Sequence, residues 1–471
     1  MRVELVLSAL LIAACGSVAP TRQPTIPLVA SSRLDRPPRP ATPPPMAPRV
    51  PVQVVLDFAS GAKAWVEPGE GPAQLTLVTR RGDDGTYPRS MLAFALDACA
   101  KGLLERPEIE RVNVGLAGSG IVLGLRAAPE HSFEDLWRAL HETFPACASP
   151  AAMTEERDTE ARRWARRDTL NAFGTLAIAE LQGETIALDA YATAEVTRLS
   201  TLDVSAGRAM LEERFSPDDL LLLARTSSDV DAALRPVLDT WRASPRPAPA
   251  REHDEARVGR AVLRYEHSAI RGELQVILFA RAPERHHPDR MAYELAVEAF
   301  GGATSSHLFA ELRETEGLTY GSGARLIDVP RSVMRAVVSF EPDEAVENTR
   351  LFLRLFTEAH AVHARDLETA VRRRWARARQ ALASGDPGPL ASAWIRGLTT
   401  PEAVQEAWLA EADVTPEEAT QVASTWFDAR RALLVLLGNP GALGRAAVVR
   451  EGAHFVLREA PSPEEEALLA Q

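Results

Sequence analysis

Phe300-Gly301-Gly302-Ala303-Thr304-Ser305-Ser306-His307-Leu308-Phe309-Ala310-Glu311-Leu312-Arg313-Glu314-Thr315-Glu316-Gly317-Leu318-Thr319-Tyr320-Gly321 holds three kinds of structural punctuation in a short space. Gly301-Gly302 closes the apolar run over 291–300, and a glycine pair there predicts a backbone turn at positive φ. Ser305 or Ser306 is placed to cap a second helix, in which Leu308, Phe309 and Leu312 share one face. Glu316-Gly317 ends that helix, and 318–327 reads as extended chain. Arg313 and Tyr320 then flank a tight helix-to-strand turn, an arrangement that aims a guanidinium fork and a phenol at one point.

The run from Gly301 to Tyr320 resembles the substrate-binding signature of the pitrilysin-type, or mitochondrial-processing-peptidase-like, metallopeptidases. That signature is a glycine pair, Ser-Ser or Ser-Arg, Leu-Phe, Glu-Leu-Arg and Gly-Leu-x-Tyr. The resemblance implies that Arg313 and Tyr320 grip the backbone of a peptide substrate opposite a zinc ion. The plainer reading makes Arg313 a solvated helix residue and Tyr320 an ordinary strand aromatic.

In that family the chemistry comes from H-x-x-E-H on a helix of the first lobe. Two histidines on one helical face hold the metal, and the glutamate activates its water. No H-x-x-E-H occurs anywhere in the 471 residues. The equivalent helix is read over 90–104, where Lys101-Gly102 fits the family's usual ending. On that register Ala93 and Asp97 stand at the histidine positions and Leu96 at the glutamate position. Aligning Glu156-Arg157 with the family's Glu-Arg puts Arg163 at the third ligand place. Alanine, leucine and arginine offer zinc no donor, and one aspartate is too few. The chain itself is therefore expected to hold no metal, no cofactor and no catalytic group of its own.

A length of 471 residues exceeds one ordinary core, so more than one domain is expected. Apolar residues make up 46% and charged residues 25%, the balance of a globular protein. A net charge of −12 without a basic stripe argues against a nucleic-acid partner. Residues 1–15 read as a signal peptide with a lipobox: an apolar run too short to span a membrane, ending Ile12-Ala13-Ala14-Cys15. Cys15 is then the lipidation site, with a plain secretory signal as the alternative. Residues 16–51, rich in proline, form a disordered tether in this reading. If Cys15 is lipidated, Cys99 and Cys147 remain. An exported location permits a disulfide between them, but spacing alone does not bring them together, and they read as free apolar residues.

The remainder reads as two copies of one plan. The first lobe is assigned to 52–243, a proline-bearing linker to 244–257, the second lobe to 258–458 and an acidic tail to 459–471. The clearest echo sets 202–224 against 414–437, each a helix start, a helix and an apolar strand. Asp203-Val204-Ser205 and Asp413-Val414-Thr415 open the two alike. Ser132 with Asp135 marks a capping box, and Pro416 with acids beside it marks another helix start. The fold class is thus α+β, two homologous lobes each an antiparallel-rich sheet with helices packed on it. The family resemblance adds that the lobes face each other across a cavity.

Other candidates read as ordinary structure. His286-His287 is a surface loop, His131 and His141 do not share a site, and His307 is an exposed helix residue. No nucleophile–base spacing supports a self-sufficient hydrolase. Arg372-Arg373-Arg374 with Arg377 and Arg379 reads as a solvated helix face, or a contact for an acidic partner. The expectation is a zinc-less subunit of a heterodimeric metallopeptidase, holding peptide through Arg313 and Tyr320 while a zinc-bearing homologue cuts it. A non-enzymatic scaffold or peptide-binding pseudopeptidase is the alternative. The place is the bacterial cell envelope, lipid-anchored, with the outer membrane facing the periplasm preferred.

Overall fold

The computed structural model describes residues 46–82, 89–117, 120–165, 177, 181, 194, 196–244, 261–266, 272–304, 306–315, 321–329 and 331–459. Strands β1 (Val54–Asp57), β2 (Lys63–Glu67), β3 (Gln74–Thr79), β4 (Ile109–Ala117), β5 (Gly120–Ala127) and β6 (Leu220–Arg225) form the first sheet, in the order β1-β2-β6-β3-β5-β4. Strands β7 (Val262–Glu266), β8 (Leu274–Arg281), β9 (Ser322–Val329), β10 (Arg331–Phe340) and β11 (Ala432–Gly438) form the second, in the order β7-β11-β8-β10-β9. Setting β2-β6-β3-β5-β4 against β7-β11-β8-β10-β9 gives one topology twice. In each, the late central strand pairs parallel with the first strand of that set, β6 with β2 and β11 with β7. The other neighbours in both sheets run antiparallel. The chain is an α+β protein of two homologous, antiparallel-rich lobes.

The central strands explain their own composition. Leu220, Leu222 and Ala224 of β6 enter one core while Leu221 and Leu223 enter another. In β11, Ala432, Leu434 and Leu436 face one core, and Leu433, Val435 and Leu437 a second. A strand covered on both faces needs a continuous apolar run rather than alternation.

The inner helices repeat the same plan. In the first lobe α1 (Arg89–Leu104) packs on β4 and on α2 (Phe133–Cys147) and α3 (Pro150–Ala165). Helix α2 starts on the expected capping box of Ser132 and Asp135. Two shorter helices, α4 (Gly207–Arg214) and α5 (Val230–Leu238), follow among the described residues of that lobe. In the second lobe α6 (Arg290–Gly301) lies on β9 as α1 lies on β4. It is followed by α7 (Ala345–Glu358), α8 (Ala364–Ala383), α9 (Gly388–Ile395), α10 (Pro401–Ala410) and α11 (Pro416–Trp426). Helix α11 begins at Thr415, whose side chain accepts from Glu418 N while the Glu418 carboxylate returns to the Thr415 backbone. A hairpin of β12 (Ala446–Glu451) and β13 (His454–Glu459), not read from the sequence, packs beside α7.

The outer face of the first sheet is covered by the second lobe. Leu382, Leu390, Trp394, Ile395, Val404 and Trp408 of α8–α10 pack on Trp65, Val78, Leu221 and Leu223. Trp394 donates its indole N–H to the Asp219 carbonyl at 3.1 Å and meets Trp65 edge-on, ring centroids 6.0 Å apart. Arg80 stacks over the same indole at 4.9 Å. Gly120 is needed there, since a Cβ would come within 2.5 Å of Ile395. A narrow cavity of about 30 Å3 remains between the lobes, with Trp65, Gln74 and Leu223 on one side and Leu382, Pro387 and Leu390 on the other.

Three expectations are corrected. Cys99 and Cys147 are disulfide-bonded, Cα atoms 4.5 Å apart, because α1 and α2 pack side by side and bring together residues 48 apart in sequence. Gly301 and Gly302 do not turn the chain at positive φ; Gly302 is αR, with φ −72°. Their lack of a side chain serves contact instead. A Cβ on Gly301 would lie 2.5 Å from Ala324 of β9, and one on Gly302 would strike the Glu298 carboxylate. Finally, the arginines of α8 are not simply a solvated face, since Arg374 and Arg377 pair with buried acids of the same chain.

Candidate functional site

After α6 the chain makes one α-helical turn, His307–Phe309, and continues as π-helix over Ala310–Thr315. Leu308, Phe309 and Leu312 are buried, as their spacing predicts. Ser306 occupies the N-cap position, but its hydroxyl forms no capping hydrogen bond and is itself buried without a partner. His307 is half-buried rather than exposed.

The π-helical register is what sets Arg313. π-Helical turns are rare and concentrate where a side chain must be re-aimed. Arg313 is exposed, and its guanidinium lies 5.0 Å over the ring of Phe309. Phe309 is fixed in the core, so it steadies the arginine stem and leaves the charged fork facing solvent. A planar group with five N–H donors and no acceptor suits the carbonyl oxygens of an extended peptide. Tyr320, Ser305, Gly317 and Leu318 lie outside the described residues, as do Cys15 and the rest of the N-terminal leader.

Ala93, Leu96 and Asp97 lie on α1 as the register requires, with Leu96 buried and the other two partly exposed. Their chemistry does not fit a zinc ion, because a methyl and an isobutyl group have no lone pair to give. Among the described residues no group of three His, Cys, Asp or Glu side chains is arranged to hold a metal. One turn beyond Asp97, Lys101 forms an ion pair with Glu156 of α3, and Glu155 lies 3.8 Å away. The Glu156 hydrogen bond raises the lysine pKa against a smaller desolvation penalty, with Glu156, Glu155 and Asp97 adding their charges. A cation built into the chain thus joins α1 to α3, the two helices from which the resemblance would draw metal ligands. The Arg163 side chain lies outside the described set.

A second charged cluster surrounds α6, the counterpart of α1. Arg290, Glu294 and Glu298 follow at i, i+4 and i+8 and share one face. Glu294 meets Arg290 at 2.7 Å, Arg374 of α8 at 2.9 Å and Arg396 at 3.5 Å. Arg374 also meets Glu411 at 2.8 Å, and Arg377 meets Glu298 at 2.6 Å. Asp328 of β9 completes the ring, 2.9 Å from Arg290. All of these groups except Glu411 line a cleft of about 290 Å3. The arginine-rich run of α8 therefore binds acids of its own chain, at sequence separations of 80 and 37 that no local pattern reveals. Its one legible signal was the i, i+4, i+8 acid and base spacing on α6.

The family model described as the Peptidase M16 inactive domain matches residues 212–373, a span that contains both Arg313 and the position of Tyr320 and excludes α1. No curated protein matches the chain. Among solved structures, a peptidase M16 inactive domain from Pseudomonas fluorescens is similar with a TM-score of 0.64 at 16% identity, covering 86% of this chain and 100% of that one. A protease from Helicobacter pylori gives 0.65 at 13%, covering 83% and 100%. The first half of the periplasmic protease PqqL from Escherichia coli gives 0.59 at 12%, covering 85% and 94%. These likenesses establish the shared fold.

Proposed function

We propose, from the match of residues 212–373 to the Peptidase M16 inactive-domain model, that the chain is the zinc-less subunit of a heterodimeric metallopeptidase. Arg313 and Tyr320 bind the backbone of a peptide while a homologous partner carrying H-x-x-E-H supplies zinc and its water. The observation that carries this reading is an asymmetry within one chain. The grip arginine is exposed and propped on a buried ring, whereas the helix at the metal place offers Ala93 and Leu96. Holding a substrate carbonyl in register with the partner's nucleophile lowers the entropic part of the barrier, so a subunit without a nucleophile still raises the rate.

The same reading gives the location. Cys15 is the lipid anchor, residues 16–45 the tether, and the bacterial cell envelope the compartment, with the outer membrane facing the periplasm preferred. The tether expected over 16–51 is shortened because the Val50 N–H donates to Gln405, whose amide donates to the Pro48 carbonyl, and Ala47 and Val50 pack on the cores. The disulfide between Cys99 and Cys147 supports an oxidising compartment. The test is reconstitution with an H-x-x-E-H homologue from the same genome. Cleavage of an extended peptide should need both chains, and Arg313→Ala should lower the joint kcat/KM by at least about tenfold, the loss of a charge-assisted hydrogen bond. Full activity in the variant would remove the grip from the account, and a non-enzymatic, peptide-binding scaffold would then be the better reading.

A further inference from the structure

The second sheet carries an arginine pair that neither the ion-pair network nor the grip uses. In the β9–β10 register Arg325 stands directly opposite Arg335, which on its other side faces Phe279 of β8. Arg335 shares a strand face with Val333 and Val337, which pack with Phe279 and Leu181; Met334 and Ala336 point into the opposite core. Only 8% of Arg335 is exposed, and its Nε has no hydrogen-bond partner among the described residues. Burial, and then the charge of Arg325, lower its pKa to about 10, so it stays protonated at neutral pH; no described carboxylate offsets either effect.

Two like charges directly opposite across a ladder repel, and a buried guanidinium without a counter-ion is costly. One oxyanion between the two forks removes both penalties. A carboxylate suits them because its two oxygens match the parallel N–H groups of a guanidinium. The pair is also accessible from solvent. Arg325 is exposed, and β9 is the edge strand of its sheet. That strand opens at Ser322, two residues beyond Tyr320. A peptide held at Arg313 and Tyr320 that continued along this edge would bring its next side chains past Arg325. We propose that Arg325 and Arg335 form a carboxylate subsite that selects peptides bearing an acidic side chain beyond the gripped segment. This rests on the peptide-binding reading given above.

The test uses the full chain and a fluorescein-labelled decapeptide, amidated at its C-terminus, with a central Glu or with Gln in its place. Anisotropy should show the Glu peptide binding about tenfold tighter, the worth of one charge-assisted hydrogen-bond pair. Arg325→Gln, at an exposed position that folding tolerates, and Arg335→Met should each cut that preference to under about threefold, with affinity for the Gln peptide unchanged. A preference that survives in both variants, or is absent from the wild type, overturns the subsite. A preference conferred only by a free C-terminal carboxylate overturns its assignment to a side chain. Arg313→Ala separates the two readings: loss of both peptides alike, with the Arg325 effect absent in the parent, leaves the grip standing and the subsite refuted. If the wild type binds neither peptide, melting in sodium acetate against sodium chloride of equal ionic strength decides. A rise in Tm that both arginine variants lose supports the carboxylate subsite, and no rise refutes it.

Discussion

Replacing Glu294 with Gln removes one negative charge from among three guanidinium groups while keeping the side chain's shape. Burial alone would raise the pKa of this carboxyl, but Arg374, Arg396 and Arg290 outweigh it and hold the group at about 2 against an ordinary 4.5. One pKa unit corresponds to about 1.4 kcal/mol, so the ionised carboxylate contributes on the order of 3 kcal/mol. The side chain is only 10% exposed, which keeps solvent screening small. Because the folded pKa is depressed, that stability is fully present above about pH 4.5 and is lost as pH falls towards 2. Glu294→Gln should therefore be less stable by about 3 kcal/mol at pH 7, within the range for breaking a buried ion pair. The gap to wild type should narrow below about pH 4.5 and close near pH 2. Urea unfolding followed by tryptophan fluorescence, from neutral pH down to about pH 3, measures both. A loss under about 1 kcal/mol at pH 7, or a gap that does not change with pH, would refute the reasoning that this network is a net stabiliser.

Other outcomes follow from single contacts. Trp394→Phe keeps the ring against Trp65 but removes the indole N–H that donates to the Asp219 carbonyl, leaving that oxygen only the longer bond from the Arg80 backbone, and should cost about 1 kcal/mol; Trp394→Ala opens the shared core and should cost about 3–5 kcal/mol in the same urea assay. Gly301→Ala forces a methyl against Ala324 and should lower stability by about 1–3 kcal/mol, a cost that Ala324→Gly should partly relieve. Reduction of the Cys99–Cys147 bridge, which spans 48 residues, should cost about 4 kcal/mol by loop entropy, read as a fall in Tm with dithiothreitol that Cys99→Ser does not show. Arg313→Ala should leave Tm unchanged, since the fork is exposed and its ring contact is worth about 1 kcal/mol or less.

Where local chemistry decides an element, the chain announced it. The capping box at Ser132, the helix start at Pro416, the leucine runs of β6 and β11, and the echo of 202–224 in 414–437 needed no partner to be read. The features that escaped are settled by distant sequence. Arg374 is a solvated-looking residue until Glu294 and Glu411 are folded beside it. Cys99 and Cys147 become a pair only when α1 packs on α2. Helices α9 and α10 went unread because their apolar face, with Trp394 and Trp408, belongs to a core shared with the other lobe. Gly301 and Gly302 were noticed for the right positions and the wrong reason: close contact, not left-handed backbone. Of the candidate site, motif spacing singled out Arg313, which is exposed, and three positions that do lie on α1. The π-helical turn that presents Arg313, the lysine bridge from α1 to α3 and the Arg325–Arg335 pair were not, since each depends on register or on a partner strand.

Zinc content and peptide cleavage, measured on one preparation, decide whether this chain must borrow its metal. The isolated chain, stripped with chelator and dialysed against zinc, should retain far less than one equivalent and leave an extended peptide intact, and should support cleavage only when an H-x-x-E-H homologue is added. Stoichiometric zinc together with cleavage by the chain alone would contradict the account.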